Sequence, residues 1–167
     1  VTLEFFLPCV PPTTTHHAKH VIRYGARKDP ATGLRVGGFM RLADTPELER
    51  AKHSLDALLV PFRPAAPIPG GFGGGLVLTL EFTWPWRAGD TKRVRELGKY
   101  PRTTKPDCSN LAKTIEDRLA RLRFMDDDAL VAELHVRKFF GDEAGILVRL
   151  EPLDVPSRYA RELALEF

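Results

Sequence analysis

The sequence predicts an α+β fold, a single domain in which a mixed β-sheet packs against helices. Three observations carry this. The runs 75–86 and 129–140 alternate apolar and polar residues with the period of half-buried strands. The segments 44–62 and 108–122 repeat apolar residues at helical spacing. The elements follow in the order β, ββ, α, β, α, ββ, α, without the regular βαβ alternation that a doubly wound sheet demands.

The chain has 167 residues, 43% hydrophobic and 28% charged, enough for one core. No apolar run approaches the ~20 residues that span a bilayer. The opening "VTLEFFLPCVPP" lacks the basic start and long apolar core of a secretion signal. Cys9 and Cys108 show no CxxC or metal-type spacing, which argues against a disulfide framework or a zinc site and for a reducing interior. A net charge of +3 does not by itself imply nucleic acid; the distribution of charge carries more information.

Residues 1–7 read as a strand, which "PCVPP" ends because proline donates no ladder hydrogen bond. "TTTHHAKH" is an irregular polar segment. Residues 21–41 read as a hairpin turning at "KDPATG", an insertion that the chemistry-bearing part does not need. The helix over 44–62 takes Thr45 as its cap, Pro46 at its first position, and Glu47 and Glu49 at its positive end. Ala51, Leu55, Leu58 and Leu59 form its apolar stripe, and Pro61 stops it. "RPAAPIPGGFGGG", 63–75, is a Pro/Gly-rich linker; it lacks the GK[ST] ending of a phosphate-binding loop, and a strand follows it instead of a helix. Leu76, Leu78, Leu80 and Phe82 line one face of that strand.

A polar arm follows. Lys92, Arg93, Arg95, Lys99, Arg102 and Lys105 stand against Asp90 and Glu96, six positive charges to two negative, next to Tyr100. A solvated loop has such a composition, and so does an arm that displaces counterions from a nucleic-acid backbone. Beyond the next helix, the strand 129–140 puts Leu130, Ala132, Leu134 and Val136 on one side, "GDEAG" turns the chain, and "ILVRLEPL" completes a hairpin. Residues 153–167 read as a C-terminal helical tail entered through Pro156.

On the helix 108–122, Leu111, Ile115, Leu119 and Leu122 fall within an arc of about 80°. Asn110, Lys113, Thr114, Asp117 and Arg121 lie opposite, with Asp107 just off the end. A polar face alone means little, since Lys113 and Asp117 form an i,i+4 pair and Asp107 or Ser109 can cap the helix. The triple aspartate 126–128 adds weight. Three adjacent carboxylates repel unless water, a basic group or a cation offsets them. Mg²⁺ prefers such oxygens and commonly uses one or two of them with water and substrate phosphate. A basic arm to hold a polyanion, beside acids to hold a metal, is the pairing that phosphodiester cleavage uses.

"KPDCSNLAKTIEDRL…DDDALVAELHVRK" resembles the RusA family of Holliday-junction resolvases, which are dimeric Mg²⁺-dependent crossover junction endodeoxyribonucleases. The family motif runs roughly D-x-D-N-L-x-K-x₃-D-x-L, then a D-D pair opening a strand. Asp107 takes the first position; Asn110, Leu111, Lys113, Asp117 and Leu119 follow at family spacing; Asp127 and Asp128 match the closing pair. "FFLPCVPPTTTHH" is similar to the family's first strand and turn. The specific resemblance covers about 105–138. It implies a RusA-like fold, Mg²⁺ with Mn²⁺ as a substitute, branched DNA as substrate, a homodimer, and the cytoplasm of a bacterial or phage-infected cell. By the same resemblance Asp107, Asp128 and Asp127 hold metal, and these three with Lys113 are catalytic. Asn110, Asp117 and Ser109 support them, and the six arm residues bind DNA.

One position departs. The second motif aspartate is Ser109 here, and a hydroxyl is a weak neutral ligand. Three outcomes follow: the site works with fewer carboxylates, Asp126 or Glu133 substitutes, or the protein binds junctions without cutting them. Chain arithmetic adds an expectation. A straight helix over 108–122 is roughly 22 Å long, which places Asp107 at one end and Asp128 near the other. One ion then bridges them only in a bent segment or across a twofold dimer with antiparallel helices.

Among other candidates, His16, His17 and His20 sit in a surface turn without metal-type spacing. His53 and His135 read as structural, and Trp84 and Trp86 as packing residues. Ser54, Ser109 and Ser157 lack a nucleophile-elbow context.

Overall fold

A computed structural model describes residues 1–14, 19–25 and 27–154. The predicted C-terminal helical tail and the His16–His17 turn lie outside the described residues, apart from the first two residues of the tail. The strands are β1 (Leu3–Leu7), β2 (Lys19–Tyr24), β3 (Arg27–Lys28), β4 (Arg35–Val36), β5 (Phe39–Asp44), β6 (Leu76–Pro85), β7 (Lys99–Pro101), β8 (Val131–Gly141) and β9 (Gly145–Pro152). The helices are α1 (Pro46–Leu59), α2 (Lys92–Arg95) and α3 (Cys108–Arg121).

Five strands form one mixed sheet in the order β1-β9-β6-β8-β7. Only β6 and β8 run parallel, and the connection between them carries α3. The expected α+β architecture is therefore present. One sheet face is apolar: Phe5, Leu7, Leu76, Leu78, Leu80, Phe82, Ile146, Val148 and Leu150 are all buried. Strand alternation puts these on one side, where α1 and α3 cover them. The hairpin is longer than expected and forms two small separate ladders, β2 with β5 and β3 with β4. Its turn is built by Asp29, whose carboxylate accepts from the Ala31 N–H and the Thr32 hydroxyl, with Gly33 at φ 69°.

Helix α1 starts as predicted, with the Thr45 hydroxyl accepting from Leu48 N–H at 3.3 Å. Its buried stripe is Leu48, Leu55 and Leu59; Leu58 and Ala51 lie only partly covered. The Pro/Gly linker is anchored: Ile68 is buried and its N–H bonds the Phe124 carbonyl.

Two expectations change. The arm is not irregular, because Thr91 caps the single turn α2 and Lys99–Pro101 adds a short edge strand against Phe139–Gly141. Thr114 is not on an exposed face. It is buried, with its hydroxyl donating to the Asn110 carbonyl, because α3 packs against α1 as well as the sheet. The same sandwiching buries Arg118, whose guanidinium stands 3.6 Å from Asp56. Among the described residues no helix is long and apolar enough to cross a membrane.

Candidate active site

The site is set by how α3 ends. Leu122 closes the helix and Arg123 takes the left-handed conformation at φ 65°. Phe124 N–H bonds the Leu119 carbonyl and Arg123 N–H bonds that of Ala120, the paired bonds of a Schellman motif. Phe124, Met125 and Leu119 are all buried, so the reversal is fastened into the core. The chain then returns along α3.

That return brings Asp128 to Lys113. The Lys113 ammonium bonds Asp128 Oδ2 and stands 3.0 Å from Asp117 Oδ1. Asp128 therefore lies beside the middle of α3, and the expectation that it sits near the far end is corrected. From Asp107 to Lys113 is six residues of helix, about 9 Å along the axis. The premise for a shared site, that one chain cannot bring these acids near one another, falls with it.

The charges adjust to this arrangement. Bonds from Asp128 and then Asp117 hold the Lys113 ammonium above the usual lysine range. The bond from Lys113 holds the Asp128 carboxyl below the usual carboxylate range. Glu116, which sequence reasoning passed over, is half-buried, and burial raises its carboxyl, as do the charges of Asp128 and Asp117, against the lowering effect of Lys113. Its signal was its place beside Asp117 and three residues after Lys113, on the flank between the polar and apolar faces.

The other candidates spread around this centre. Asp107 occupies the N-cap of α3 yet makes no side-chain capping bond, so its exposed carboxylate is not engaged there. Ser109 is exposed and Asn110 half-buried. Asp127 Oδ1 accepts from Ala129 N–H at 2.8 Å, which shapes the turn into β8. Asp126 pairs with Arg123 at 3.1 Å, and Glu133 stands 3.6 Å from His135 on the strand. His20, His53 and His135 have exposed side chains, so His53 and His135 are not packed as expected. Trp84 is buried and donates to the Pro11 carbonyl, as a packing residue should.

The arm residues divide. Lys92, Arg93 and Lys105 are exposed. Arg95 donates to the Arg87 carbonyl, and Lys99 pairs with Glu81. Arg102 lies over the Trp84 ring at 4.2 Å and donates to the Lys105 carbonyl at 2.7 Å. Lys138 donates to the carbonyls of Thr104 and Pro106, at 3.0 and 2.7 Å. Arg102 and Lys138 thus hold the loop that delivers Asp107, a role the sequence did not signal for Lys138.

Among the described residues no three His, Cys, Asp or Glu side chains converge closely enough to enclose a metal by themselves. What the centre offers is hard anionic oxygen: Asp128, held ionised by Lys113, and the unengaged Asp107. Such a pair suits a cation that completes its shell with water and phosphate.

A family model described as Endodeoxyribonuclease RusA matches residues 34–151. No curated protein matches the chain. The match spans α1, α3, the returning aspartates and four of the five strands of the main sheet, and the chain belongs to the RusA endodeoxyribonuclease family.

Proposed function

We propose that this family member hydrolyses phosphodiester bonds in branched DNA, four-way junctions above all, with Mg²⁺ (Mn²⁺ as substitute) and as a homodimer. The observation that carries the reading is the return of Asp128 to Lys113 on the exposed flank of α3, within the segment that bears the family motif. Asp107 and Asp128 would hold the metal, with the free oxygen of Asp127 beside them. A bound divalent ion supplies Lewis acidity toward the phosphate and activation of the attacking water.

The chain's own groups do the rest. Lys113, 43% exposed at its side chain, can turn its ammonium to a phosphate oxygen and stabilise charge as it develops. Asp117, one helical turn on, keeps that ammonium in place when no phosphate is present. Lys92, Arg93 and Lys105 meet the DNA backbone, with Arg95 and Lys99 at the edge of the same arm. Arg102 and Lys138 position the loop before Asp107.

A specific observation favours a second reading, a junction-binding protein impaired in cleavage. Ser109 stands where the motif has an aspartate, and the described residues form no three-donor group. An end-labelled four-way junction incubated with Mg²⁺, Mn²⁺ or EDTA separates the two. Metal-dependent nicking supports the enzyme. Tight binding without nicking supports the second reading, and failure to bind DNA at moderate salt sinks both.

A further inference from the structure

Strand β8 has an edge that nothing covers. On one side it pairs with β6 along its length, but on the other β7 reaches only Phe139–Gly141, and Arg102 N–H takes the Lys138 carbonyl. The opposite limit is a bulge at Ala132, where the register with β6 skips from Val131 to Glu133. Between these limits lies a regular, unpaired stretch, Glu133–Arg137. Ala132, Glu133, Leu134 and His135 are all exposed, and Leu134 is 43% exposed although it shares a face with buried Leu78. No proline or outward lysine blocks this stretch, the usual protections of a free edge.

We infer that this edge is where two copies of the chain join, by antiparallel pairing of β8 with β8 about a twofold axis through His135. The inference deepens the homodimer reading above and rests on it for its biological setting, but its argument is local.

Three features fix the occupant and the register. Lys138 turns its carbonyl outward to Arg102, so Val136 and Leu134, two and four residues earlier, turn their N–H and C=O groups to the same side. A twofold pairing must therefore match even-numbered residues with even-numbered ones. Centring on His135, the midpoint of the free stretch, does so by placing Leu134 opposite the partner's Val136, with about four backbone hydrogen bonds across the two symmetric pairs. It also places Glu133 opposite the partner's Arg137, twice. The edge is thus complementary to itself in charge on the open face and in apolar character on the helix face. Shifting the centre to Glu133 or Arg137 would oppose like charges. Shifting it to Leu134 or Val136 would leave Glu133 without Arg137.

The consequence concerns the candidate active site. Residues opposed across an antiparallel ladder lie on one face of the sheet. Both copies of α3, with Lys113 and Asp128, then stand on the same side of a continuous ten-stranded sheet. Two cutting centres on one face match a substrate in which two strands must be nicked.

Sedimentation equilibrium of the full chain without DNA or metal tests this. The wild type is expected to be a dimer. Glu133→Arg and Arg137→Glu should each weaken it by about tenfold or more, since each removes two cross-strand ion pairs and creates two repulsions. Glu133→Arg/Arg137→Glu together should return the dissociation constant to within about threefold of wild type. Circular dichroism confirms that each variant is folded. A monomeric wild type, single variants that dimerise normally, or a folded double variant that stays monomeric would overturn the inference. None of these readouts involves cleavage. A dimer that behaves as expected but never nicks DNA would sink the nuclease reading and leave the interface standing.

Discussion

The Lys113 ammonium bonds the carboxylate of Asp128, fifteen residues along the chain. Lys113 is on the exposed flank of α3, and Asp128 reaches it only because the chain doubles back after Arg123. A lysine between two aspartates has two effects. It keeps Asp128 ionised, and it occupies space that a divalent cation would contest.

Replacing Lys113 by methionine should therefore separate binding from chemistry. Removing the ammonium leaves Asp117 and Asp128 uncompensated, so Mn²⁺ titrated against the variant should bind more tightly than to wild type. Junction nicking should nevertheless slow by about 10²–10³-fold, the usual cost of losing one donor to a developing charge. Equal Mn²⁺ affinity in the two proteins would show that the lysine does not contest the metal position.

Ser109→Asp restores an acid at the one motif position that departs. The added carboxylate should raise divalent-metal affinity and increase the nicking rate at limiting Mg²⁺. A variant with unchanged metal affinity would place residue 109 outside the metal shell.

Within the arm, exposure predicts two behaviours. Substituting Lys92, Arg93 and Lys105 by alanine should flatten the salt dependence of duplex-arm binding by about 0.9 in log–log slope for each lost phosphate contact. Arg102→Ala should leave that slope nearly unchanged and lower stability by about 1–2 kcal/mol, because the guanidinium stacks on Trp84 and fixes the Lys105 carbonyl. Thermal melts with salt-graded anisotropy measure both. A large slope change from Arg102→Ala would put it on the DNA.

Asp90 gives a pH signature away from the site. Arg87 bonds its carboxylate through Nη2 at 2.7 Å and holds its carboxyl below the usual range. A lowered folded value means the stabilisation is complete above the ordinary carboxylate pKa, about 3.9, and is lost as pH falls through the folded value. The difference in thermal midpoint between wild type and Asp90→Asn should be full at neutral pH and shrink below about pH 4. A difference constant down to pH 2.5 would contradict this.

Much of this architecture was legible in local pattern. Alternation marked β6, β8 and β9; the spacing of Leu111, Ile115 and Leu119 marked α3; Thr45 and Pro46 marked the start of α1. The missed features depend on contacts distant in sequence. The reversal after α3 uses Arg123 at positive φ where glycine or asparagine would have announced it, so Asp128 was placed at the wrong end. Strand β7 is three residues long and exposed on both sides, too short for a period to show. Arg102 and Lys138 looked like surface cations because the Trp84 ring and the loop carbonyls that take them lie far off in sequence. The acids and the lysine were identified by the family motif. Their convergence was not, because it depends on packing Phe124 and Met125 into the core.

The most direct measurement follows strand-specific nicking of a labelled four-way junction by wild type and Asp128→Asn, each with Mg²⁺, Mn²⁺ or EDTA. The wild type should nick with either metal and stop in EDTA, while Asp128→Asn still binds the junction and leaves it intact. Nicking that survives EDTA, or that proceeds at the wild-type rate in Asp128→Asn, would contradict a metal-dependent centre built on Asp107, Lys113 and Asp128.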